Sequence, residues 1–256
     1  MAEAMPRTAE TPALEATDLN KAFGALTATD HLSISLAPGL CHGLIGPNGA
    51  GKTTAINLLS GSLSADSGTI RLFGEDVTAL SQVKRARKGL QRSHQITSLF
   101  ADFTTLENVA LAVQAGEKHA FRFWQPAMKD PSLTEPAEAA LVQVGLKDRL
   151  HLRAGDLAHG EQRQLELAMV LATKPRVILL DEPMAGMGVA ESRRMIEVLE
   201  PLKGDLTLLL VEHDMDVVFQ LADVITVLVK GHAIASAPPA EIRADEAVRR
   251  AYLGDY

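Results

Sequence analysis

GPNGAGKTT, running from Gly46 to Thr54, is the stretch on which the reading of this chain turns. It satisfies the spacing G-x-x-x-x-G-K-[ST]. A short apolar run, Cys41 to Ile45, leads into it. Its last residues open a stretch, Lys52 to Ser60, that reads as a helix, with Ile56 and Leu59 on one side and Gly61 just past the end. Strand, glycine-rich turn and helix in that order make a phosphate cradle. Glycines let the backbone close in, and amide N–H groups at a positive helix terminus supply fixed donors. Gly46, Pro47, Asn48, Gly49, Ala50, Gly51, Lys52, Thr53 and Thr54 are therefore the candidate nucleotide-binding residues. Lys52 can reach the β- and γ-phosphates, and Thr53 can offer its hydroxyl to Mg²⁺. A chance glycine-rich turn is the bland reading, and it loses weight once a strand and a helix flank it.

Two further segments extend the pattern. VILLDEP, Val177 to Pro183, is an apolar strand ending in acids. Asp181 at the mouth of a parallel sheet is placed to hold Mg²⁺, directly or through water. Glu182, one residue on, is placed to activate a water against the γ-phosphate. Alone these would be ordinary surface acids; behind a phosphate loop they are not. LAHGEQRQ, Leu157 to Gln164, precedes a run in which Leu165, Ala168, Met169 and Ala172 keep helical spacing. A helix N-terminus there suits a phosphate.

With these segments in this order, the sequence resembles the ATP-binding subunits of ABC transporters over about residues 13–254. That family carries an L-S-x-G-[QE] signature at a helix start, then Asp-Glu-Pro about 20 residues later. The resemblance implies an α/β fold: a P-loop NTPase (RecA-like) core, an N-terminal antiparallel β subdomain and an inserted α-helical subdomain. It implies ATP and Mg²⁺ as cofactors, with two ATPs sandwiched between two cassettes. Phe23 matches the aromatic that stacks on adenine. Gln95 matches the glutamine that senses Mg²⁺ and the attacking water, and His213 the switch histidine. Ala158, His159, Gly160 and Glu161 would meet the nucleotide of a second chain, and MAGMG, Met184 to Gly188, would cross to that partner. Ala158 stands where most cassettes carry Ser, and Gly188 where many carry Asp. The ending AYLG (Ala251–Gly254), VEHDM (Val211–Met215), AGM after the acid and the FRFW insert (Phe121–Trp124) look like the branched-chain amino acid importer group. The implied partners are a second cassette, membrane permeases and, indirectly, a solute-binding protein. The implied location is the cytoplasmic face of the inner membrane. Importers of urea, amides or aromatic acids, and soluble ABC proteins outside transport, stay open as alternatives.

Along the chain, residues 1–12 contain two prolines and no apolar run and read as a disordered tail, followed by one ATPase domain over 13–254. Leu14 to Leu36 reads as short strands in a meander. Residues 96–165 read as the helical insertion: helix at Asn108–Ala115, an irregular stretch from Gly116 to Pro136, and helix again at Ala137–Val144. Val177–Leu180 and Leu206–Val211 are continuous apolar runs suited to buried parallel strands, with a helix at Met195–Leu202 between them. Val224–Val229 and His232–Ser236 read as a hairpin, and Ala240–Leu253 as one helix.

Composition removes other classes. The chain has 256 residues, 46% hydrophobic and 22% charged, so it can bury a core and is not a disordered or fibrous chain. A formal charge of −7 makes it a poor general binder of nucleic acid. No apolar stretch approaches the roughly 20 residues of a spanning helix. The basic run Lys84, Arg85, Arg87, Lys88 and Arg92 reads as a solvated helix face rather than a nucleic-acid patch. Cys41, the one cysteine, reads as a buried structural thiol, and Phe121–Trp124 as local core or a docking surface. A GTPase would need a guanine-reading N-K-x-D, yet Asn20–Lys21 is followed by Ala-Phe.

Overall fold

Strands β1 (Leu14–Phe23) and β2 (Leu26–Leu36) are joined by a tight turn at Gly24 and pair antiparallel. They come from a computed structural model that describes residues 11–93, 99–116 and 127–253. The expected short meander is in fact two strands of 10 and 11 residues. The frequent polar breaks are absorbed by shifts in register, where Asp18 and His31 take left-handed backbone conformations.

The rest of the chain follows in order. β3 (Cys41–Ile45) runs into α1 (Lys52–Ser60), and β4 (Ser67–Leu72) and β5 (Glu75–Asp76) return to the first sheet. α2 (Gln82–Arg87) and β6 (Leu90–Arg92) precede a helical stretch of α3 (Thr105–Gly116), α4 (Pro131–Gln143) and α5 (His159–Ala172). Then come β7 (Val177–Asp181), α6 (Val189–Leu199), β8 (Thr207–Val211), α7 (Met215–Leu221), β9 (Val224–Val229), β10 (His232–Ala237), α8 (Pro239–Ala244) and α9 (Glu246–Leu253). β1, β2, β4 and β5 form a four-stranded antiparallel sheet in the order β2-β1-β4-β5. A six-stranded sheet has the order β10-β9-β3-β8-β7-β6, parallel except for the β9–β10 hairpin.

Alternation along the central strands builds two cores. Val177 and Leu179 of β7, with Leu209 and Val211 of β8, join a cluster with α1 and the antiparallel sheet. Ile178, Leu180, Leu208 and Leu210 join the other, with α3, α4, α5 and α6. Strands covered on both faces need unbroken apolar runs, which is why these runs carried no alternation in the sequence. One unbroken helix, α5, crosses position 165 and links the helical stretch to β7.

Several boundaries differ from expectation. α4 begins at Pro131, where proline's missing N–H costs nothing, and Asp130 caps it through the Ser132 amide. Pro136 therefore sits inside a helix rather than in an irregular stretch. α6 starts six residues before the expected Met195, and the C-terminal helix breaks into α8 and α9 at Asp245, whose carboxylate caps α9 through Ala247 and Val248. β6 had no counterpart in the sequence reading. Trp124 and its neighbours lie outside the described residues.

The basic run is not one solvated face. Lys84, Arg87 and Lys88 are exposed, but Arg85 is buried. Its guanidinium donates to the carbonyls of Leu58 and Leu59 at 2.7 Å each, of Thr78 at 2.9 Å and of Leu80 at 3.0 Å. Leu58 and Leu59 lie in the last turn of α1, whose carbonyls have no partner within the helix and carry its negative dipole end. Arg85 thus caps the helix that follows the phosphate loop. Arg85→Leu should lower stability in urea denaturation by about 3 kcal/mol or more, because buried carbonyls lose a charged donor. A loss below about 1 kcal/mol would show that water replaces the guanidinium.

Candidate active site

Three strands end on one line. Leu44 of β3 pairs with Val211 of β8, and Val211 pairs with Asp181 of β7. Three loops leave that row: residues 46–51, 182–188 and 212–214. The parallel ladder thus brings together segments far apart in sequence, at the carboxyl ends where such sheets bind ligands.

The first loop is shaped by its neighbours. A Cβ on Gly46 would stand 2.2 Å from the Leu228 carbonyl oxygen. One on Gly51, where φ is +102°, would stand 2.2 Å from that of Ala28. The loop is wedged between β2 and β9, and only glycine fits at either point. Lys52 Nζ donates to the carbonyls of Gly46 at 2.6 Å and Pro47 at 3.1 Å, arching over the loop. Partial burial lowers the Lys52 pKa, and the nearby Glu182 carboxylate offsets only part of that. Thr53 is exposed at the first turn of α1.

The second loop begins with two acids in different settings. Asp181 is buried, and its Oδ2 accepts from Arg92 Nη2 at 2.7 Å. Arg92 reaches Asp181 because β6 pairs with β7, so this basic residue also leaves the solvated group. Glu182 is held in a left-handed conformation, φ +49°, a strained backbone for a residue with a Cβ. Its amide donates to the Val211 carbonyl at 2.9 Å.

The third loop holds His213, with the side chain 66% exposed. Behind it stands Glu212, 1% exposed and missed by the sequence reading. Its Oε1 accepts from the Met184 amide at 3.0 Å and its Oε2 from the His213 amide at 3.2 Å. Burial raises the Glu212 pKa. The signal was present: an acid ending a continuous apolar strand, where no surface position is expected.

LAHGE opens α5. Glu161 folds back to accept from the Ala158 amide at 3.1 Å and from Arg149 Nε at 2.9 Å. This is half of a capping box, and alanine cannot supply the other half. His159 is exposed and packs against Gly186 of the second loop. Gly160 is buried against Glu191, whose Oε1 would stand 2.8 Å from a Cβ there. The same carboxylate accepts from the Gly188 amide at 3.0 Å and so caps α6. This explains the early start of that helix. Phe23 lies at the β1–β2 turn, half exposed, with Lys21 Nζ 5.7 Å from its ring centre. Gln95 lies outside the described residues.

Phosphate loop, paired acids and histidine on adjoining parallel strands, with a capped LAHGE helix, match a known family. The ABC transporter family model matches residues 29–185. The chain belongs to the ABC transporter family. A second model, of the branched-chain amino acid ATP-binding cassette transporter, matches residues 234–256. The cassette is 37% identical over 251 residues to the high-affinity branched-chain amino acid transport ATP-binding protein BraF of Pseudomonas aeruginosa, covering 95% of this chain and 98% of that one. It is 35% identical over 253 residues to the protein of the same description, LivG, of Escherichia coli, with coverage of 95% and 98%. A solved ATP-binding cassette of an ABC transporter in its ADP conformation superposes with a TM-score of 0.84 at 30% identity, covering 95% of this chain and 99% of that one. The cassette is thus homologous to transporter ATPases, and the expected fold is present.

No group of three or more His, Cys, Asp or Glu able to cage a metal occurs among the described residues. Cys41 is buried, its thiol pushed up to about 12 by burial, as a structural thiol should be.

Gly160 can be probed within the chain. Helix propensity favours Ala over Gly by about 1 kcal/mol, but here a Cβ presses on Glu191. Gly160→Ala should therefore be more favourable in a Glu191→Ala background than in the wild type by at least about 0.5 kcal/mol, read by urea denaturation. Equal effects in both backgrounds would remove Glu191 from that contact.

Proposed function

We propose that this cassette binds and hydrolyses MgATP as the motor subunit of an importer for branched-chain or related amino acids. The observation that carries the chemistry is the convergence at the carboxyl end of one sheet of Lys52, Asp181, Glu182 and His213. In this reading Gly46–Thr54 wraps the triphosphate, Phe23 stacks on adenine and Lys52 swings from its loop carbonyls to the β- and γ-phosphates. Glu182 takes the proton of the attacking water, and the family resemblance assigns His213 and Gln95 to the same step.

Mg²⁺ fits the donor set. The Thr53 hydroxyl and the Asp181 carboxylate are hard oxygens, and with no metal cage among the described residues a hydrated Mg²⁺ would rest mainly on phosphates. The metal would neutralise charge on the β- and γ-oxygens. Arg92 holds Asp181 in place meanwhile.

Substrate class rests on two supports: the names of the two relatives and the terminal family match. A second cassette, identical or homologous, would supply Ala158, His159, Gly160 and Glu161 to the γ-phosphate, so the cassette alone holds half of each site. The helical insertion, about 96–165, would carry motion to permease subunits on the cytoplasmic face of the membrane, with a solute-binding protein beyond. Phe100 and Phe103, stacked at 5.4 Å and both exposed, offer apolar surface for such a partner. No helix among the described residues is long and apolar enough to cross a membrane, so attachment would run through the permease.

Two substitutions separate binding from chemistry. Lys52→Ala should weaken ATP binding by roughly tenfold or more, since a charged donor to phosphate is lost. Glu182→Gln should leave ATP binding within about threefold and lower turnover by at least about 100-fold. Turnover unchanged in Glu182→Gln would overturn the proposed chemistry.

A further inference from the structure

Glu182 carries a left-handed backbone, and nothing in its own side chain favours that state. Its neighbours hold it there. The Glu182 amide donates to Val211. Pro183 has no amide hydrogen to give and has a restricted φ. The next amide, Met184, donates to the buried Oε1 of Glu212. So the dipeptide Glu182–Pro183 is clamped on both sides by consecutive residues of one strand end, Val211 by its carbonyl and Glu212 by its carboxylate. The other carboxylate oxygen, Oε2, accepts from the His213 amide and lies 3.6 Å from the His213 ring nitrogen Nδ1. One buried side chain therefore holds both the loop of the acid and the loop of the histidine.

We propose that Glu212 is a positioning residue for ATP hydrolysis, fixing Glu182 and His213 relative to each other through two backbone amides. This rests on the reading of Glu182 and His213 as catalytic. Both oxygens must be acceptors at once. A carboxylate meets that demand, whereas Gln offers one oxygen and one NH₂ group and must turn a donor toward a donor. A residue of the same size thus breaks one tether. The Met184 tether is the costlier to replace, since that hydrogen bond is buried. A side chain kept only for stability would not discriminate between binding and turnover, whereas a positioning residue acts on the step in which both catalytic groups must be in place.

The test is Glu212→Gln in the full chain, with Glu182→Gln and His213→Ala as controls, measuring melting temperature, fluorescent ATP-analogue affinity and steady-state kcat and KM. The proposal expects Glu212→Gln to lower kcat at least about tenfold, with analogue affinity and KM within about threefold of wild type. In the Glu182→Gln background it expects Glu212→Gln to lower the residual kcat less than about twofold, because one of the two groups that it sets relative to each other is already gone. A Glu212→Gln enzyme with kcat within twofold of wild type overturns the proposal, provided the two controls are inactive. Active controls would instead overturn the catalytic reading beneath it. Should Glu212→Gln fail to fold, Glu212→Asp decides: its shorter carboxylate reaches one amide or the other but not both. A tenfold loss of kcat with a cooperative melt supports the tether, and normal kcat overturns it.

Discussion

The row Leu44–Val211–Asp181 is the constraint on which the site depends. Parallel pairing sets three strand ends level, so the loops that follow them emerge side by side. A slip of one residue in β7 would send Ile178 and Leu180 to the wrong core and carry Asp181 off the row. That slip is blocked from both faces, because each central strand is packed against helices or the second sheet on either side. The geometry of the candidate site is thus a by-product of core packing that tolerates only one register.

Around this row the polar groups are arranged in depth. Arg85 satisfies the far end of α1, so the helix behind the phosphate loop is secured at its C-terminus. Arg92 bridges β6, α1 and β7 by bonding Asn57 and Asp181. Glu212 ties the two loops that carry the acid and the histidine. Glu191 caps the start of α6 and packs against Gly160 at the start of α5. Each is a charged side chain whose partners include backbone groups or another charge, which is how buried charges are tolerated. Lys52, by contrast, rests on two carbonyls within its own loop.

What could be read beforehand follows from where each signal lies. The phosphate loop, α1 with Gly61 behind it, and strands β7 and β8 are local patterns, carried by adjacent residues and a fixed period. The early start of α6 was hidden because its cap is Glu191 acting on the Gly188 amide, not a Ser or Asp at the cap position. β6 is three residues long, too short for any period. Arg85 and Arg92 looked like their exposed neighbours Lys84, Arg87 and Lys88, since only the packing of α1 and β7 against them distinguishes a cap from a surface charge. Glu212 was passed over for the histidine beside it. Gly160 was read as open to a phosphate, and the structure adds that its inner side is already filled by Glu191.

The cassette presents LAHGE at a helix start whose neighbours are Glu191, Gly186 and Arg149 of its own chain. In the proposed function that segment completes a nucleotide site on another cassette. Sedimentation of the Glu182→Gln chain tests this most directly, because stalled hydrolysis traps the ATP-bound state. With ATP and Mg²⁺ a species of twice the 27.4 kDa chain mass is expected, reverting to monomer with ADP. Monomer alone at saturating ATP, across concentrations well above the micromolar range, would contradict it.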